Sequence, residues 1–161
     1  MEGNYVCCFT GHRNIPSKHI DELSEVLDRA IEKLTLAGVT TFRTGGAIGF
    51  DMFAALKVIE KKTDHQQLRL ELYLPCRDQP NKWNEYNKHA YGYVLSHADK
   101  IIYTSESYTR GCMLYRDRRM VEGSQFCIAY CTRSSGGTAY TLDYAKKHGL
   151  RVLNLAMMIK G

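Results

Sequence analysis

Short apolar runs of strand-like composition alternate with helix-periodic stretches along nearly the whole chain, and this alternation admits few folds. NYVCCFT (4–10), VTTFRT (39–44), LRLELYLP (68–75), DKIIYT (99–104), SQFCIAYCT (124–132) and LRVLNL (150–155) read as six strands. Between the first two, Ile20, Leu23, Val26, Leu27, Ala30, Ile31 and Leu34 form one apolar helix face. Ser17 is placed to cap that helix and Gly38 to end it. Further helices are expected over 51–60, in the segment ending near His97, over 111–122, and from SSGGT through TAYTLDYAKKHG. Strands separated by helices in this way require a parallel sheet with helices on both faces. The chain is thus expected to form a Rossmann-like, doubly wound α/β domain of about six strands, with 1–161 as one domain. No repeat, low-complexity segment or dividing linker interrupts it.

With 161 residues, 44% hydrophobic and 24% charged, a core can be buried without metal or disulfide staples. No apolar run approaches the roughly 20 residues of a membrane span, and MEGNYVCCF lacks the basic start of a secretory signal. A cytoplasmic protein with no membrane partner is expected. Six cysteines, at 7, 8, 76, 112, 127 and 131, show no C-x-x-C pairing and read as reduced, buried thiols, with no metal site. The net charge of +5 is concentrated in YRDRRM (115–120). Such a patch suits a phosphorylated ligand, a nucleic-acid backbone, or simply a solvated helix face.

Ligands of doubly wound sheets bind beyond the carboxyl ends of the strands, and the unusual residues fall there. Gly11, His12 and Arg13 follow the first strand; Gly45, Gly46, Ala47, Gly49 and Asp51 follow the second; Gly136, Gly137 and Thr138 follow the fifth. Glycine lets backbone N–H groups approach an anion, and a helix starting just beyond favours negative charge. The same glycines also suit a tight turn with close strand–helix packing. The loop at 45–51 lacks the G-K-[ST] ending of a triphosphate loop and does not follow the first strand as G-x-G-x-x-G, which argues against dinucleotide binding and for no cofactor. Arg116 and Arg119, three apart, can share a helix face and clamp a phosphate, or can lie solvated or paired with Asp117 and Glu122. Trp83, with Gln79 nearby, can stack on a base or cap the core.

Taken in order, FTGHRNIP, TGGAIGFD, YLPCRDQPNKW, YRDRRMVEGS and SSGGTAYTLDYA resemble the blocks of YpsA-like proteins of the SLOG superfamily. The resemblance implies a site for a nucleotide or related phosphorylated ligand, and a homodimer joined through the arginine helix. It also relates the chain to the LOG phosphoribohydrolases and to the Rossmann domain of DprA, which binds single-stranded DNA. The LOG motif M-x-x-R-K-x-x-M matches at Met113, Arg116 and Met120, with Asp117 in the lysine's place. Tyr144 stands where the LOG glutamate is expected, beside Asp143. Cleaving an N-glycosidic bond needs a carboxylate, so only Asp143 or Asp51 would be available as catalytic acid. Binding or sensing of a nucleotide-like molecule is therefore expected ahead of N-glycosidase activity, and both ahead of single-stranded nucleic-acid binding.

Overall fold

The computed structural model describes residues 4–160; the first residues of MEGNYVCCF, used above against a secretory signal, lie outside the described residues. Strands β1 (Tyr5–Gly11), β2 (Val39–Thr44), β3 (Arg69–Leu74), β4 (Lys100–Tyr103), β5 (Phe126–Tyr130) and β6 (Arg151–Asn154) form one sheet in the order β4-β3-β2-β1-β5-β6. Every neighbouring pair is parallel. Helices α1 (Ile20–Leu36), α2 (Phe50–Lys61), α3 (Glu85–His97), α4 (Cys112–Val121) and α5 (Gly137–Lys147) make the crossovers. This is the expected doubly wound Rossmann-like fold.

Strand alternation divides the core. Cys7, Phe9, Phe42, Leu70, Leu72, Leu74, Ile128 and Tyr130 share one cluster with the apolar stripes of α1, α2 and α3. Cys8, Tyr73 and Cys127, one residue out of phase, join Met120, Val121 and Ala145 of α4 and α5 on the opposite face. All six cysteines are unpaired and buried. Ser17 does not cap α1: Ser17–His19 form a 3-10 turn after Pro16, and α1 begins at Ile20 behind His19 without a side-chain cap bond.

Strand order reverses between β1 and β5, so the crevice beyond their carboxyl ends is the expected ligand position. An aromatic stack fixes its floor. Phe9 stacks on Phe42 with centroids 5.7 Å apart, Phe50 stacks on Tyr130 at 6.1 Å, and Phe9 meets Phe50 edge-on at 6.1 Å. Such pairs contribute about 0.5–1.5 kcal/mol each beyond their burial. Phe50 opens α2 and lies so close under Gly11 that an added Cβ there would stand 2.4 Å from its ring.

Candidate functional site

The loop after β1 crosses the reversal. The His12 amide donates to the Tyr130 carbonyl at 3.3 Å, and the His12 carbonyl accepts from the Phe50 amide at 3.0 Å. Its side chain accepts as well: the Thr132 amide donates to His12 Nε2 at 2.8 Å. Acceptance at Nε2 requires the neutral ring with its proton on Nδ1. Burial, with Arg133 nearby, holds the imidazole below its ordinary pKa and so favours that form.

The two glycine-rich loops differ in kind. Gly45, Gly46 and Ala47 are buried. A Cβ on Gly45 would stand 2.3 Å from Arg116 Nη1, and one on Gly46 would stand 2.7 Å from the Leu74 side chain. Gly49, at φ +93°, packs backbone against backbone on Arg13. This loop therefore uses its glycines for close packing. Gly136 and Gly137 are exposed, with nothing within 4 Å of an added Cβ. Gly136, at φ +101°, precedes α5 and leaves its first turn without a side-chain cap. Of the two glycine-rich helix starts, the open one, with its first-turn amides uncapped, is thus the one after β5.

Arg116 is placed where no ligand charge is needed to explain it. Only 4% exposed, it donates through Nη1 to the Gly45 carbonyl at 2.6 Å and the Tyr73 carbonyl at 3.2 Å. Its Nε bonds Asp117 Oδ1 at 2.7 Å, and Asp117 Oδ2 accepts from the Thr141 hydroxyl at 2.9 Å. The network binds the β2–α2 loop, α4 and the first turns of α5 together. Of the two readings of the arginine pair, Arg116 takes the paired one, bonded to Asp117 and buried against carbonyls, while Arg119 lies 3.4 Å from the Tyr115 hydroxyl, so the two do not form a shared clamp.

The acids lie apart from the open crevice. Asp143 is exposed and paired with Lys147 at 3.0 Å. Tyr144 donates to Glu122 at 3.0 Å and stacks against Tyr140 and His148. Asp51 is buried behind the packed loop, where the Ala47 amide donates to Oδ2 at 3.4 Å. Burial pushes its pKa up to about 6, against the pull of Arg116 and with a smaller push from Asp117. The folded chain thus holds this proton more tightly than the unfolded chain. Asp51 contributes stability fully below pH about 4 and loses it as pH rises through about 6, a change on the order of 3 kcal/mol. Accordingly, Asp51→Asn, which mimics the protonated acid, should gain stability relative to the parent between pH 4 and 7.5 in urea titrations.

Three cavities adjoin at Arg13, and two of them carry more of the expected site residues than the third. One, of about 370 Å³, lies at the strand reversal and is lined by Gly11, His12, Arg13, Arg133, Gly136 and Thr138 among others. The second, of about 380 Å³, is lined by Arg13, Cys76, Gln79, Trp83, Tyr108 and Met113 among others. Trp83 packs against the core, its ring meeting Tyr91 edge-on at 5.2 Å, and it also lines the second cavity. The sequence reading missed Arg133, Tyr91 and Tyr108. Arg133 carries a legible signal, a cation just ahead of the exposed glycine pair. Tyr91, inside α3, carries none.

Residues 7–159 match the model of the YpsA family, described as the YspA SLOG family. The SPbeta prophage-derived protein YoqJ of Bacillus subtilis (strain 168) is 29% identical over 139 residues, covering 79% of this chain and 80% of YoqJ. DNA processing protein A (DprA) from Streptococcus pneumoniae superposes with a TM-score of 0.67 at 15% identity, over 92% of this chain and 49% of DprA. DprA from Helicobacter pylori, whose structure is described by its single-stranded DNA binding mode, gives 0.65 at 15% identity, over 93% of this chain and 64% of that one. This chain thus spans about half and about two thirds of the two DprA chains. Fold and family match define a SLOG-type Rossmann-like protein. The chain belongs to the YpsA family. Among the described residues no helix is long and apolar enough to cross a membrane.

Proposed function

We propose that this chain binds a nucleotide-like phosphorylated small molecule across the carboxyl edge of its sheet. The phosphate occupies the crevice at the strand reversal, against Gly136, Gly137 and Thr138 and beside Arg13 and Arg133. A ring system occupies the neighbouring cavity beside Trp83. One observation carries the reading: Arg13 lines both cavities, one with two arginines and open backbone, the other with the Trp83 and Tyr108 rings among polar side chains. Glycine-loop residues Gly45, Gly46, Ala47 and Gly49, with Arg116, hold this edge in shape from behind.

Holding is favoured over cutting. The residues lining the phosphate crevice include no acid, Asp143 is occupied with Lys147, and Asp51 is sealed behind the packed loop. Calorimetry and thermal melting with nucleoside monophosphates, cyclic nucleotides and ADP-ribose derivatives test the reading. A ligand at about 100 times its Kd should add about 2.7 kcal/mol of stability, and Arg13→Ala should remove most of that gain. No heat and no shift across the panel would refute it. Release of free base would instead favour the N-glycosidase, and a steeply salt-dependent affinity for oligonucleotides would favour the DNA reading attached to the DprA fold. The same proposal includes a homodimer through α4 and α5, whose outer faces expose Tyr115 and Tyr140; sedimentation equilibrium checks it.

A further inference from the structure

The second cavity has an unexplained floor. Gln79 lines it, yet both atoms of its amide are shut off from water and have no hydrogen-bond partner. The Tyr91 hydroxyl is in the same condition, on a residue only 6% exposed. Both side chains press on the packed glycine loop. A Cβ on Gly46 would come within 3.5 Å of the Tyr91 ring and 3.8 Å of Gln79 Nε2. Trp83 then closes on the far side of Tyr91.

Buried polar groups are nearly always paired, because leaving one unmade forfeits its hydration without return. Here a side-chain amide at the wall of a mixed polar and aromatic cavity, with the Tyr91 phenol close by, makes no hydrogen bond of sound geometry. Burial pushes the Tyr91 phenol up to about 12, and a loose contact with the Gln79 amide, outside hydrogen-bond geometry, only partly offsets this, so the phenol keeps its proton. A side-chain amide offers a donor and an acceptor in one plane and is satisfied by a planar group presenting the converse pair. Trp83 supplies a face on which such a plane can stack.

We propose that Gln79, supported by Tyr91, reads the hydrogen-bonding edge of a nucleobase that lies against Trp83. The ligand class is a nucleotide whose base presents an adjacent donor and acceptor, with its phosphate beyond Arg13. This rests on the function proposed above and adds what that leaves open, recognition of the base. A site built around hydrogen-bonding groups rejects a ligand lacking them much more strongly than an apolar slot does.

The test uses ribose 5-phosphate, which has no base, and the adenosine, guanosine, cytidine and uridine 5′-monophosphates, titrated calorimetrically into the parent and Gln79→Leu proteins. At least one nucleotide should bind the parent about 10- to 100-fold more tightly than ribose 5-phosphate. Gln79→Leu should abolish that advantage and leave the ribose 5-phosphate affinity unchanged. The free Gln79→Leu protein should melt at the same temperature as the parent or higher, since an unpaired amide has been removed. A marked fall in melting temperature would show that the amide has a structural partner and would overturn the inference. So would a base advantage surviving in Gln79→Leu, or ribose 5-phosphate binding as tightly as every nucleotide. Failure of all five probes to bind would overturn this inference, and the functional reading falls with it only when the cyclic nucleotides and ADP-ribose derivatives also give no heat.

Discussion

Arg116→Met should destabilise the free protein by about 3–5 kcal/mol, measured by urea unfolding at pH 7, before any ligand is added. Methionine fills a similar volume, so the loss is electrostatic. It strips the Gly45 and Tyr73 carbonyls of their buried donor and leaves Asp117 without its cation. Asp51 loses the attraction that limits its pKa rise. A half-buried arginine provides the contrast: Arg119→Ala removes a long contact to the Tyr115 hydroxyl and a distant one, 5.9 Å, over its ring, and should cost less than about 1 kcal/mol. Equal losses in the two variants would show that Arg116 does not join the loops. The buried arginine thus turns a family motif residue into a structural tie, which chemical denaturation reports and a ligand titration does not.

Gly49→Ala should cost about 2–5 kcal/mol, from two sources acting together. A side chain at φ +93° sits in the left-handed half of the map, at about 1–2 kcal/mol. The added methyl also stands 2.3 Å from the Arg13 carbonyl oxygen, an obstacle of main chain that no rotamer change can relieve. Gly136→Ala separates the sources: φ is +101°, but nothing lies within 4 Å, so only the conformational cost of about 1–2 kcal/mol applies. Comparing melting temperatures of the two variants measures backbone-to-backbone packing directly. If the variants melted together, the close approach of the 45–49 loop to Arg13 would be disproved.

The architecture was legible because its determinants are local. Each strand carries its own apolar run and each helix its own stripe, and parallel connectivity follows from their alternation. The edge of the sheet that carries the crevice was legible for the same reason, since glycine and polar residues cluster after strands one, two and five. Which glycine loop lies open was not. TGGAIGFD and SSGGT both place a glycine pair beside a hydroxyl residue ahead of a helix, and it is the packing of Arg116, Leu74 and Arg13 against the first that separates them. Arg116 misled for a related reason: spacing of three puts two side chains on one helix flank but does not say that one of them turns under a neighbouring loop. Gln79 and Trp83 were legible as neighbours and line one cavity; the burial of the Gln79 amide depends on Tyr91 and Gly46, which meet it only in three dimensions.

The bond from the Thr132 amide to His12 Nε2 joins the loops that follow β1 and β5 across the strand reversal. Together with the main-chain bond from the His12 amide to the Tyr130 carbonyl, it ties the two loops by one imidazole and one backbone contact rather than by long flexible side chains. Acid reverses the arrangement. Protonating His12 converts its acceptor nitrogen into a donor facing another donor, so this one stitch is lost while the main-chain bonds of the loop remain.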